Sequence, residues 1–367
     1  MGRAKAGSVA GFLVLLVISS PAWAALSFQG LGSSAIVYDV ANDGAVVVGR
    51  INNTSAGVWK PGIGWTNLGF EGFAYKSARD GSAVAGFIGA STSTLYGNEA
   101  FRWTPAGGVQ HLGYLPGGDG SQMLGISGDG NTLVGASSAT GSARVAMRWS
   151  QPTGMVSFAT LLGNPYESQS RGASYDRSII VGDVQQTTNF NTYKTWKWNA
   201  STNAITYLTG LGSAWAVSGD GNVVVGTTPG VGPKAARWTV ATGAALLGSV
   251  GPNDTSSEAR DVSADGSIIT GYAYPDGNTQ TAFIWDSAHG MRSLKDVLTN
   301  DYGLNLSGWK LSWAYVSDDG KTFGGWGVDP ANFAESWVAT VPEPTTATLL
   351  IAPAFVALPR RRRAAAP

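Results

Sequence analysis

The chain contains no cysteine and only two histidines in 367 residues. No disulfide framework supports it, so its stability must come from a buried core, which a chain of this size can supply. His111 and His289 leave little material for a Ser/His/Asp triad or a His-based metal site. Charge is scarce too. Only 13% of residues are charged, and 24 Lys and Arg balance 24 Asp and Glu, so nothing draws the chain toward nucleic acid. Its apolar runs, of roughly ten residues near the start and roughly fifteen near the end, fall short of the ~20 a spanning helix needs.

Glycine and tryptophan are plentiful, at 51 and 14 residues, as suits tight turns between aromatic-rich strands. Residues 214–248 set the pattern: AWAVS, NVVVGTT, AARWTV and GAALLG, separated by Gly219-Asp220-Gly221, Pro229-Gly230 and Thr242-Gly243. Each segment is too short for a helix and is bounded by turn residues, so the unit reads as a four-stranded antiparallel sheet. Asp-Gly between apolar runs is a strong hairpin signal, because both residues tolerate positive φ.

Six further versions surround this unit. Their turn aspartates are Asp43, Asp80, Asp129, Asp176, Asp220, Asp265 and Asp319, spaced 37, 49, 47, 44, 45 and 54 residues apart. Downstream of each lies a strand holding Trp59, Trp103, Trp149, Trp198, Trp238, Trp285 or Trp337. Six of these carry alanine three residues earlier (Ala56, Ala100, Ala146, Ala235, Ala282 and Ala334). A Leu segment follows each Trp except the last, at Leu68, Leu112, Leu162, Leu208, Leu247 and Leu294, and an extra copy, Phe28 to Gly32, precedes the first unit. The offset predicts an all-β, seven-bladed β-propeller over residues 25–340. Its N-terminal strand completes the last blade and removes the open sheet edges. An open solenoid would instead carry capping repeats at both ends.

Two units depart from the pattern. Unit four has Asp176-Arg177 in place of Asp-Gly, and positive φ at arginine is costly, so its turn is expected to change type or its blade to distort. Residues 293–309 are an insertion before unit seven. Ser293 with Asp296 resembles a capping box, Leu294, Val297 and Leu298 share a face, and Gly303 can end a short helix.

Alternation along the Trp strands places Gly57, Phe101, Met147, Trp196, Ala236, Phe283 and Glu335 on the Trp side, as blade-to-blade core. The opposite side carries Val58, Arg102, Arg148, Lys197, Arg237, Ile284 and Ser336. Arg102, Arg148, Lys197 and Arg237, in four consecutive units, are therefore candidate ligand contacts for an anionic polysaccharide. The plainer expectation is that they pack between blades with snorkelling stems.

The two ends have their own order. Residues 1–24 read as a secretory signal peptide: Arg3 and Lys5, then Val9 to Ile18, then Ala22-Trp23-Ala24, with cleavage between Ala24 and Ala25. Residues 341–367 run from Val341-Pro342-Glu343-Pro344 through an apolar stretch containing Pro353 to Arg360, Arg361, Arg362 and Arg363. That basic end fits a cytoplasmic stop for a short, imperfect transmembrane stretch.

This tail resembles the PEP-CTERM sorting signal of Gram-negative bacteria. The resemblance implies export by the Sec machinery and signal peptidase, then a transient inner-membrane anchor. Cleavage near Pro-Glu-Pro by an exosortase would follow, with release to the cell surface or an exopolysaccharide matrix. The repeats resemble the extracellular HAF repeat family, at Glu99-Ala100-Phe101, Val145-Ala146-Met147, Lys234-Ala235-Ala236 and Thr281-Ala282-Phe283, none of which keeps the histidine. Only the architecture is carried over, because neither family implies a reaction.

The remaining candidates have bland readings. Asp318-Asp319-Gly320 and Asn42-Asp43-Gly44 look like fragments of a calcium loop but lack its further ligands, and aspartate caps its own turn well. Glu71, Glu99, Glu167, Glu258, Asp254 and Asp276 could supply the carboxylate pair of a glycoside hydrolase or polysaccharide lyase if two of them lie within roughly 5–10 Å. Trp65, Tyr114, Trp215 and Trp326 either stack on sugar rings or fill the core. Taken together, the sequence favours a non-catalytic surface or matrix scaffold that binds polysaccharide or protein, with no cofactor, no metal and no catalytic residue assigned.

Overall fold

The computed structural model describes residues 26–90, 92, 95–185 and 193–342. The signal-peptide expectation, with its cleavage site, and the sorting segment from Glu343 onward lie outside these residues. Among the described residues no helix is long and apolar enough to cross a membrane.

The architecture is all-β, built of antiparallel sheets of the propeller-blade kind. Five sheets have four strands each and one has seven. The seven-stranded sheet divides within the long strand Gly64–Ser77: its first part pairs with Ser55–Lys60, and Gly72 to Ser77 pair with Val84–Ile88. Two of the sequence units therefore share one strand. Ser27–Gly30 pairs with Ala334–Thr340, with Phe28 opposite Ala339 and Gly30 opposite Trp337. The Phe28 and Trp337 rings stack 5.9 Å apart. Strand Ala35–Val40 packs against Thr322–Val328, bringing the first unit beside the last.

The Leu segments are shifted from their expected place. Outer strands such as Gly108–His111, Ala204–Tyr207 and Gly290–Ser293 end just before Leu112, Leu208 and Leu294. These leucines fold inward as plugs: Leu208 and Leu294 are buried, and Leu112 packs against the core of unit three. Leu294 opens helix Leu294–Asn300 instead of ending a strand. In that helix the Ser293 hydroxyl accepts from the Asp296 N–H, and Leu294, Val297 and Leu298 face the core. Gly303, at φ +75°, ends it, with the Leu304 N–H returning to the Leu298 carbonyl.

The first strand of every unit carries a β-bulge. In units one to six the extra residue is Tyr38, Tyr75, Leu124, Arg171, Trp215 or Arg260. Opposite lies the glycine of the repeated apolar-Gly pair. A Cβ on Gly226 would sit 1.8 Å from the Ser213 carbonyl oxygen, and one on Gly49 would sit 2.1 Å from that of Ile36. The bulge dictates these glycines. In unit seven it moves to Ser312, opposite Gly327.

Unit four keeps its turn, contrary to expectation. Arg177 adopts φ +66°, the Ser178 N–H donates to Asp176 Oδ1, and Arg177 reaches Asp129 of the neighbouring turn at 3.2 Å. Ser174 holds the geometry in place: its hydroxyl donates to Asp176 and accepts from the Ile179 N–H. The network over-determines the backbone and leaves the arginine strained.

Candidate functional sites at the two mouths of the propeller

The turn aspartates are consumed locally. In units three to seven a serine two residues earlier donates to the carboxylate, which also accepts the N–H two residues on, as at Ser127, Asp129 and Asn131. Side-chain and backbone hydrogen bonds from Ser82 hold the Asp80 carboxyl below its ordinary range. The turns also join one another. Asn42 N–H donates to the Arg79 carbonyl, Arg79 to Gly128, Tyr175 to Gly219, Asp220 to Ala264 and Ala264 to Asp318, while Asp319 N–H donates to the Asn42 side chain. The Arg177–Asp129 pair joins units three and four.

These turns surround a narrow cavity of about 80 Å³, lined by the first strands of all seven units. Lys76 spans it, 2.7 Å from Asp39 and 3.3 Å from Asp261. Burial alone would lower the Lys76 pKa, but the two carboxylates, Asp261 and then Asp39, more than offset it and hold it above its ordinary value. Asp39 also accepts the N–H and hydroxyl of Ser77. Asp261 is served less well. Burial, with the Asp39 charge adding to it and Lys76 opposing, pushes its carboxyl up to about 6. Beside this triad Trp215 lies between two guanidinium groups, Arg171 at 4.0 Å and Arg260 at 3.7 Å from its ring centre. The bulges project these side chains inward. The sequence shows Trp215 as an aromatic but gives no sign of its flanking arginines, because a bulge has no residue code of its own.

The four candidate cations are half-buried, and each reaches the following unit. Arg148 lies over Trp198, Lys197 over Trp238 and Arg237 over Trp285, 4.7 to 5.6 Å from the ring centres. Arg102 donates to the Gly130 carbonyl at 3.1 Å. Desolvation lowers the pKa of Arg102 and of Lys197. They are inter-unit clamps, and Arg148 lies in an open groove that Arg177 and Gln151 also line. On the Trp side, Phe101, Met147, Trp196 and Phe283 are fully buried, as expected of core.

The other candidates scatter. His111 pairs with Glu99 and His289 with Asp286, both at 2.8 Å on exposed edges. Glu258 pairs with Arg260 at 2.8 Å, and Lys234 donates to the backbone of Asp254. Asp276 caps its own turn, and backbone hydrogen bonding, first from Thr279, holds it at about 2. Trp65 donates to the Leu31 carbonyl and Trp326 packs beside Trp313, whereas Tyr114 is exposed. Glu167 lines a cavity with a second carboxylate, that of Asp183. Asp183 is committed, accepting from the Ala214 N–H and from Arg171 at 3.2 Å. Among the described residues no group of three or more His, Cys, Asp or Glu is placed to hold a metal ion.

No protein-family model matches the chain, and neither does any curated protein. Solved structures do. An oligogalacturonate lyase in complex with manganese matches over 87% of this chain and 97% of its own, at TM-score 0.55 and 12% identity. The β-propeller domain of the Trilobed protease from Pyrococcus furiosus matches over 83% and 95%, at 0.55 and 10%. The oligogalacturonate lyase from Vibrio parahaemolyticus gives 0.54 and 11%, over 87% and 97%. The chain spans 62% of the length of TolB from Acinetobacter baumannii, at TM-score 0.45, 12% identity and 70% coverage of this chain. Identities this low show the fold alone: the chain is a β-propeller.

Proposed function

We propose that the protein is an exported, non-catalytic seven-bladed propeller whose ring is closed by its N-terminal strand. In this reading an exosortase-type signal presents it at the cell surface or in an extracellular matrix, where it binds polysaccharide. The observation that carries this reading is the pairing of Ser27 with Thr340. Ser27 lies two residues past the expected signal cleavage, and Thr340 directly precedes the sorting motif, so both processed ends leave one edge of one blade. They leave it on the side of the Asp turns, because Thr340 lies opposite Thr322 and the Val341 N–H donates to the Lys321 carbonyl. A C-terminal anchor would then hold the Asp-turn face toward the membrane and turn the opposite face outward. The link between every pair of neighbouring turns and the single cavity lined by all seven units support closure. Glu99, Glu258, Asp254 and Asp276, spent on ion pairs and a cap, favour a scaffold over a hydrolase or lyase.

Deleting residues 342–367 should send the protein to the periplasm with no membrane-bound stage, read by fractionation and immunoblotting. Identical fractionation of the truncated and full-length proteins would exclude the sorting reading. Val341 is buried in the last blade, so the mature C-terminus, read by mass spectrometry, should fall at or beyond residue 341.

A further inference from the structure

Units three and four are separated by an open groove of about 1020 Å³. Arg148, Gln151 and Pro152 of unit three line it, with Arg177, Ile180 and Trp198 of unit four. We propose that this groove binds an acidic polysaccharide, with a sugar carboxylate held between Arg148 and Arg177. This deepens the polysaccharide-binding reading and rests on it.

The backbone of Arg177 supplies the first observation. The other six turns carry glycine after the aspartate, and glycine takes left-handed backbone at no steric cost. Arg177 takes it at φ +66°, so the strain brings a side chain to a place where six units have none. Strained residues of this kind gather at ligand clamps. Its neighbour Asp129 gives no reason for the arginine, since that carboxylate already accepts from Ser127 and Asn131.

The second observation is a surplus of donors. Arg148 lies over Trp198, and Arg177 meets Asp129 as an ion pair at 3.2 Å, but neither guanidinium donates a hydrogen bond to a described residue. Nor is Arg148 sealed. It is half-buried and its nitrogens reach solvent, unlike Nε of Arg50 and of Arg292, which are enclosed and unpaired. Asp176, the one carboxylate among the lining residues, is taken by the Ser174 hydroxyl and the Ser178 N–H. What the groove lacks is an acceptor, and a planar carboxylate matches the parallel N–H groups of a guanidinium. No other pair of units repeats the arrangement. Arg102 spends Nε on the Gly130 carbonyl, and the units after Lys197 and Arg237 have Gly221 and Gly266 in their turns.

Shape selects a polymer chain over a membrane. Pro152 and Trp198 give the groove an apolar wall that suits the flat face of a sugar ring, whereas the plane of a bilayer cannot enter a recess. The groove opens on the Asp-turn side, which removal of the anchor would free.

The test is binding of the full-length protein to immobilised alginate and polygalacturonate. Dextran and vesicles of phosphatidylcholine with phosphatidylglycerol are run beside them. Arg148→Gln and Arg177→Gly are compared with wild type. Arg237→Gln is the control, because it removes the same charge over Trp285 beside a turn that holds glycine. Thermal unfolding checks each variant, and Arg177→Gly, which relieves strain, keeps the test sound if Arg148→Gln fails to fold. The expected result is binding to an acidic polymer that falls at least about tenfold in Arg148→Gln and Arg177→Gly and stays within about twofold in Arg237→Gln. Acidic-polymer binding that Arg177→Gly keeps, or that Arg237→Gln loses equally, would overturn the groove while leaving the polysaccharide reading intact. Binding to dextran alone would overturn the ligand class. Binding to the charged vesicles and to no polymer would put a membrane surface in the polymer's place. No binding at all would remove the polysaccharide reading and this site with it.

Discussion

Arg177 shows how much a single residue can be forced to bear. Left-handed backbone at a non-glycine residue costs roughly 1–3 kcal/mol, whereas an exposed ion pair such as Arg177–Asp129 returns about 0.2–1 kcal/mol. Arg177→Gly should therefore stabilise the protein by about 1 kcal/mol, seen as a higher urea midpoint at constant m-value. A lower midpoint would mean that the ion pair outweighs the strain. Asp261 makes the complementary case for titration. Its folded pKa, about 6, exceeds its unfolded value, so between roughly pH 4 and 6 the folded state holds the extra proton and this group's contribution to stability falls as pH rises. The turn aspartates act the other way, but at lower pH, because their folded pKa values are depressed. Burial also raises the carboxyls of Asp183 and Asp318. Urea unfolding at a series of pH values should therefore show a decline above about pH 4 in the wild type that Asp261→Asn makes shallower without abolishing. An unchanged slope in the variant would assign the decline to another group.

At the scale of the strand, the inner bulge couples a glycine to the lining of the channel. The repeated apolar-Gly pair and the Asp turn are both legible in the sequence, since turn chemistry and strand composition are local. The bulge is not, because nothing in Ala214-Trp215-Ala216 says that Trp215 is skipped by its partner strand. Without the bulge, the inward set of Arg171, Trp215 and Arg260 cannot be found, and neither can the partnering of Lys76 across the cavity, which joins residues 185 positions apart. Simple alternation correctly separated core from cation on the Trp strands. It could not say that Arg148, Lys197 and Arg237 would be taken up by the next unit's tryptophan. Gly226→Ala should cost about 3 kcal/mol, as overpacking against a backbone oxygen that no rotamer change can move away. A loss below about 0.5 kcal/mol in thermal unfolding would show that the bulge relaxes freely.

The whole molecule depends on its seam. The count of seven turns, seven tryptophans and a displaced Leu segment made the pairing of Ser27–Gly30 with the last Trp strand legible before any geometry, because repeats expose a missing element by its absence from one end. The cavity that Arg144, Glu167, Asp183 and Tyr193 line was not legible, since these residues belong to different strands and share no motif. The chain has no cysteine of its own, so closure can be read with a single introduced pair. Ser27→Cys with Thr340→Cys, in otherwise unaltered full-length protein, should form a cross-link under mild oxidation or with a short bis-maleimide and raise the melting temperature. Failure to cross-link in folded protein, with Ser27→Cys instead modified at the rate of an unstructured thiol, would contradict the closed ring.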